Sequence, residues 1–242
     1  MDQNNESFAD TWYGVFDRAV PNFVLRLVLM MAGVAFVAFG IAVSRATDLG
    51  ISAISCIPGV IHYASGLTLG TITFMFNVLL LLVQIALLRS RFNPLQLLSL
   101  LMLFVFSALI DFFVPIALCI PMPNYPIRLL FSILTCVFIA IGVWLQKKAA
   151  LIMLPGDGIV QTICAVFHTN FGKTKVVFDT SLIVVGAVLS LVLMGGLYGV
   201  REGTVIAAVI VGFIIRAIDG LFPHFEKFAP LKGHITLIAQ ER

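Results

Sequence analysis

The chain carries one short segment twice. Asp48-Leu49-Gly50-Ile51-Ser52-Ala53-Ile54-Ser55 has a counterpart in Leu154-Pro155-Gly156-Asp157-Gly158-Ile159-Val160-Gln161, 106 positions later. The same offset carries His62 onto His168, Gly66 onto Gly172 and Thr68 onto Thr174. Each copy is glycine-led and moderately apolar, lies between two long apolar runs, and is itself too short to cross a bilayer. A second match, at an offset of 108, sets Asn93–Asp111 beside Arg201–Asp219, and in both an acid follows an isoleucine near the end of an apolar run. The fold has to accommodate two similar units.

Those units belong in a membrane. Sixty per cent of the residues are hydrophobic, 11% are charged and the mean hydropathy is +1.08, whereas a soluble domain is about a quarter charged. An all-α, polytopic membrane protein is expected, with little room for a soluble domain. The acidic N-terminal residues Asp2, Glu6, Asp10 and Asp17 lack a basic n-region, so no secretory signal is expected. Residues 1–22 are read as a cytoplasmic or interfacial segment with Trp12 and Tyr13 as anchors, or else as a disordered tail. Spans are expected at about 23–43, 70–88, 94–115, 127–146, 176–194 and 203–222. They group as a first repeat (23–116), an extracytoplasmic proline-rich turn (117–126), a second repeat (127–222) and a cytoplasmic tail (223–242). The positive balance of +3 needs no nucleic acid, because lysine and arginine gather in cytoplasmic loops. Cys56, Cys119, Cys136 and Cys164 lie in apolar surroundings at no metal-ligand spacing, so neither metal nor cofactor is expected.

Basic residues decide whether the glycine segments cross. If neither does, the N-terminal side collects Arg18, Arg26, Arg89, Arg91, Lys147, Lys148, Lys173, Lys175, Lys227, Lys232 and Arg242, against Arg45, Arg128 and Arg201 on the other. If both cross, the asymmetry nearly vanishes. The lopsided arrangement predicts six spans and cytoplasmic termini. Ile51–Ala64 would be roughly 21 Å of helix against a hydrocarbon core of about 30 Å. Three spans per unit is odd, so consecutive copies insert upside down relative to each other. Each segment is read as a re-entrant hairpin. One turns at Gly50 and returns as a half-helix from Ile51. The other turns at Pro155-Gly156-Asp157-Gly158 and returns from Ile159 to Asn170. Two half-helix N-termini then approach near the midplane and leave a positive spot there.

At Gly50-Ile51-Ser52, Gly66-Leu67-Thr68-Leu69-Gly70 and Gly156-Asp157-Gly158 the chain resembles the YczE/YitT family of bacterial integral membrane proteins, over about residues 24–222. It departs at Ala53-Ile54-Ser55, where that family often has Pro-Trp-Asp, so no acidic role carries over to that spot. The resemblance implies a bacterial inner-membrane protein and supplies no substrate.

Charged groups inside spans cost about 2.5–3.5 kcal/mol each on insertion scales and usually face protein interior. Gly50, Ser52, Ser55, Asn77, Gly156, Asp157, Gly158, Gln161 and Arg216 are the candidate solute-binding residues. Asp157, Asp179, His62 and His168 are candidates for proton or ion coupling. Each has a structural alternative. Asp157 can serve as an N-cap, Asp179 can pair with Lys175 at the surface, and Arg216 can clamp the sixth span beside Asp219. The two histidines can hydrogen-bond at the half-helix exits. Asn77 and Gln84 can be interhelical glue. Asp111 and Asp219 are read as anchors within their own units. No catalytic constellation is present, and an enzyme is not expected. The expected function is a secondary transporter for a small polar or anionic solute, partnered by lipid and solute and compatible with a homo-oligomer. The alternative is a membrane-embedded accessory or assembly protein.

Overall fold

A computed structural model describes residues 23–88, 98–149, 151, 154–169, 171–196, 198–199 and 201–221. The side chains of Gln161, Arg216 and Asp219 lie outside the described residues, as do the tails 1–22 and 222–242. The described residues are helical and contain no strand. The helices are α1 (Phe23–Thr47), α2 (Cys56–Ser65, entered through a 3₁₀ turn at Ala53–Ser55), α3 (Leu69–Leu88), α4 (Leu98–Leu118), α5 (Tyr125–Ala149), α6 (Pro155–Phe167), α7 (Phe171–Met194) and α8 (Glu202–Leu221). Five are long and apolar enough to cross a membrane: α1, α3, α4, α5 and α7. Valines and leucines such as Leu79, Leu101, Leu130, Val184 and Val192 are more than half exposed on them, as suits a lipid-facing surface. α8 runs 20 residues. The two short helical segments, Ala53–Ser65 and Pro155–Phe167, are 13 residues each, roughly 20 Å and well under a span.

Local chemistry moves several boundaries. α4 continues through Pro115 to Leu118. α5 starts at Tyr125, with Pro126 in its first turn, where a missing N–H costs nothing. The proline-rich turn therefore shrinks to residues 119–124. Gly50 (φ 111°) does turn the chain, helped by Asp48 in the left-handed region (φ 56°), and the short helix begins at Ala53 instead of Ile51. The second glycine segment differs more. Pro155 occupies the helix start, so Gly156-Asp157-Gly158 form the first turn of α6 and not a loop before it. α6 ends at Phe167 with His168 left-handed (φ 52°), short of Asn170.

α1 and α5 cross at the centre, antiparallel. Arg26 donates to Ala149 O at 3.1 Å. Gly33 meets Gly142, and Gly40 meets Thr135 and Ile139. A step of seven forward on one helix is a step of seven back on the other. The two backbones nearly touch: a Cβ on Gly33 would lie 2.7 Å from Gly142 O, and one on Gly142 2.6 Å from Gly33 O. Small residues permit that approach in a bilayer. The largest core cluster joins α1 to α4 and includes Met30, Val34, Ile41, Leu103 and Ile110.

The other contacts follow a pattern. Exchanging α1 with α5, α2 with α6, α3 with α7 and α4 with α8 carries the packed pairs α1–α4, α2–α3 and α2–α7 onto α5–α8, α6–α7 and α6–α3, and leaves α1–α5 as it is. Two pairs break the pattern among the described residues: the 3₁₀ entry of α2 packs on α8 where α6 has no such packing on α4, and the larger break is at α3–α4. α3 packs on α4, Gly70 against Ser107 and Asp111, but no comparable packing joins α7 to α8 among the described residues.

Candidate functional site at the meeting of the glycine segments

The two glycine segments touch. The Ile54 side chain occupies the place a Cβ on Gly156 would take, and Asn77 Oδ1 lies 3.5 Å from that same point. Gly156 is thus glycine for close approach, not for a turn. Two residues on, a Cβ on Gly158 would lie 2.9 Å from Gln84 Oε1. Gln84 Nε2 donates to Pro155 O at 2.7 Å in a buried setting. Asn77 Nδ2 donates to Thr73 O on its own helix at 2.9 Å. Asn77 and Gln84 are seven apart on α3, two turns of one face, and Leu80 between them packs with Ile159 and Val160. A polar stripe on α3 therefore receives the start of α6 near mid-helix.

This arrangement differs from two bare helix N-termini facing each other. Leu154, not Asp157, holds the N-cap position of α6, in extended backbone and without a side-chain cap. The N–H groups of Asp157 and Gly158 both turn back to Leu154 O, and Pro155 has none to offer. In the first segment Ser55 N–H bonds to Ser52 O, and the two hydroxyls lie 3.2 Å apart. The positive spot expected between the segments is filled instead by Ile54.

Asp157, freed from capping, faces Lys175. The Lys175 ammonium sits 3.0 Å from Asp157 Oδ1 and 3.0 Å from Asp179 Oδ1, and the three side chains are only 20–35% exposed. Asp179 Oδ1 is in ion-pair contact with Lys175 but takes no hydrogen bond. Sequence spacing revealed the Lys175–Asp179 pair at i, i+4. It did not reveal that the α6–α7 hairpin folds Asp157 onto the same ammonium.

The remaining predicted residues stand elsewhere. Gly50 packs against the start of α8 beside Thr204, its carbonyl accepting from Ser44 Oγ at 2.8 Å. There the chain is strapped down by backbone bonds, Gly203 N–H to Leu49 O at 2.8 Å and Ile51 N–H to Gly199 O at 3.1 Å. His62 Nδ1 lies 2.6 Å from Leu67 O at the exit of α2, and His168 is exposed at the end of α6. Neither reaches the central contact. Asp111 holds the start of α3, accepting from Gly70 N–H and from Thr68 Oγ, both at 2.7 Å. Beside Gly50 a second polar cluster closes one face of the bundle. The Arg45 guanidinium lies 4.1 Å over the Tyr63 ring, Tyr63 OH donates to Asp48 at 3.1 Å, and Arg201 donates to Asp48 O at 3.1 Å. Burial pushes the Tyr63 phenol up to about 12, with Arg45 opposing and Asp48 adding to the rise. Among the described residues no group of His, Cys, Asp and Glu is placed to hold a metal ion.

Nothing among curated proteins or solved structures matches the chain. Its long apolar helices and duplicated glycine segments fall within a stretch that a sequence family does cover. The chain belongs to the family described as a family of unknown function (DUF6198), which it matches over residues 24–220.

Proposed function

We propose that the protein is a secondary transporter of a small polar or anionic solute, made of two inverted three-span units that rock against each other in a bacterial inner membrane. Both termini then lie in the cytoplasm, and the likeness to the YczE/YitT proteins belongs to the same reading. The antiparallel α1–α5 crossing supports inversion, because these are the first helices of the two units. The exchangeable contact pattern supports the repeat. The observation that carries the function is the central contact itself. Two glycine-led, sub-membrane-length segments from opposite units meet at Ile54 and Gly156, beside buried Asn77 and Gln84. Irregular backbone at that depth is tolerated where it is covered by protein or lines a wet path. Ile54 acts as the plug of that path, and the Asp157–Lys175–Asp179 group is the coupling element.

The pairing of Lys175 with both acids also suits the second reading, an accessory protein whose intramembrane charges serve packing alone. Uptake separates the two. Purified protein in proteoliposomes is offered labelled amino acids, carboxylates, phosphate, sulfate and nucleobases in turn. Saturable uptake of one class is expected, and Ile54→Ala should convert it to a faster, poorly coupled leak. Absence of uptake across the set would reject transport and favour the accessory reading.

A further inference from the structure

The larger break in the contact pattern lies at one pair of interfaces. In the first unit α3 lies on α4. Its start is held by Asp111, which accepts from Gly70 N–H and Thr68 Oγ at 2.7 Å each, and Phe74 meets Phe104 edge-on at 6.4 Å. In the second unit the equivalent helices, α7 and α8, are not packed together among the described residues. Only 17% of the α7 span is buried, against 33% for α3 and for α4. Thr174, the counterpart of Thr68, pairs with its neighbour Thr169 at 2.8 Å instead. Gly212, the counterpart of Phe104 at the 108 offset, has nothing within 4 Å of where a Cβ would stand. Thr180, the counterpart of Phe74, is exposed. Two copies of one unit therefore hold two different arrangements.

We propose that α3–α4 and α7–α8 are alternating latches, of which the first is made here and the second is open. In the exchanged conformation α7 seats on α8 while α3 leaves α4. Val176 stands where Gly70 does and would face Ile215, the counterpart of Ser107, so the seated α7 lies farther from α8 than α3 does from α4. The made latch lies on the face where Leu49–Ile51 is bonded to Gly199–Gly203 and where Arg45, Tyr63 and Asp48 gather. That face is shut from both units at once. The open latch belongs to the opposite face, the cytoplasmic one by lysine and arginine placement. Inverted units give a physical reason for the asymmetry: the two conformations of the whole are the two ways of assigning one arrangement to each half. The inference rests on the two-unit architecture proposed above, but it does not need transport to occur.

Distances between spin labels test it. The full chain, with its four cysteines replaced, is labelled at Leu79 and Leu101 across α3–α4, or at Val184 and Phe213 across α7–α8, and placed in liposomes. All four sites are more than half exposed. The unsubstituted latch should give a short first distance and a long second one. Asp111→Asn weakens a charge-assisted bond and should move the balance about tenfold toward the exchanged form. The first distance then lengthens and the second shortens in the same proportion. Thr68→Val, a milder change, should move both the same way and less. A first distance that lengthens while the second stays put, in either variant, overturns the proposal, as does a pair of distances that neither variant moves. Uptake is not read, so a protein that exchanges without transporting would refute the transport reading and leave this one standing.

Discussion

Gly142→Val should be strongly destabilising. A Cβ at that position would lie 2.6 Å from Gly33 O, 2.6 Å from Val37 Cγ2 and 2.9 Å from Val37 N. Two of those three atoms are backbone, so relief requires α1 and α5 to separate. That crossing is the broadest interhelical contact among the described residues, and it maps onto itself when the units are exchanged. Overpacking costs about 1–3 kcal/mol, and valine adds two methyl groups beyond the clashing Cβ, so a loss of about 3 kcal/mol is expected. Against a total stability of about 5–15 kcal/mol, that lowers the midpoint of thermal unfolding in mild detergent by about 10 °C. Gly212→Ala is the control. Its Cβ meets nothing within 4 Å, and alanine in a helix gains about 0.5–1 kcal/mol over glycine. A Gly142→Val protein as stable as the Gly212→Ala protein would mean that the two units do not cross at this point.

Lys175→Met should be the most damaging change of a charged side chain. It removes the cation that sits 3.0 Å from each of two carboxylates. Removing one partner of a buried pair costs about 3–5 kcal/mol. The groups here are 20–35% exposed, and solvent screening reduces the figure to about 2 kcal/mol. The loss comes from stranded carboxylates and not from missing packing, since methionine keeps most of the stem. Adding Asp157→Asn and Asp179→Asn to Lys175→Met should therefore recover most of the stability. Thermal unfolding of the single and triple variants reads this directly. A triple variant no more stable than Lys175→Met would assign Lys175 a packing role and remove the coupling element from the account.

Five of the six expected spans coincide with long apolar helices, and their ends are legible because they are chemical. α3 was expected from Gly70 to Leu88 and runs Leu69–Leu88, since Arg89 and Arg91 bound its apolar run. α7 began earlier than expected, at Phe171 instead of Val176. Lys173 and Lys175 read as loop charges, yet Lys175 lies within the helix because two acids neutralise it there. The central contact was half legible. Glycines at 50, 156 and 158 marked both segments, and the short lengths followed. A glycine serves a turn or a close approach alike, however, and periodicity does not distinguish them. Gly50 serves the turn. Gly156 makes room for Ile54, a residue that reads in sequence as plain core. The capping alternative for Asp157 does not hold, because Pro155 moves the helix start back and leaves Leu154 in the cap position. Gln161 and Arg216 remain candidates on sequence alone, their side chains lying outside the described residues.

Labelling from one side of the membrane tests the architecture most directly. In a cysteine-free background, single cysteines replace Asp48 and Ser65 at the two ends of the first short segment, and Lys147 and Thr169 around the second. All four positions are exposed. In intact cells an impermeant maleimide should modify the cysteines at 48 and 65 and spare those at 147 and 169, which should react only after permeabilisation. If 48 and 65, or 147 and 169, fall on opposite sides, a short helix crosses the bilayer. If all four react from the same side, the halves are not inverted, and either result contradicts the account.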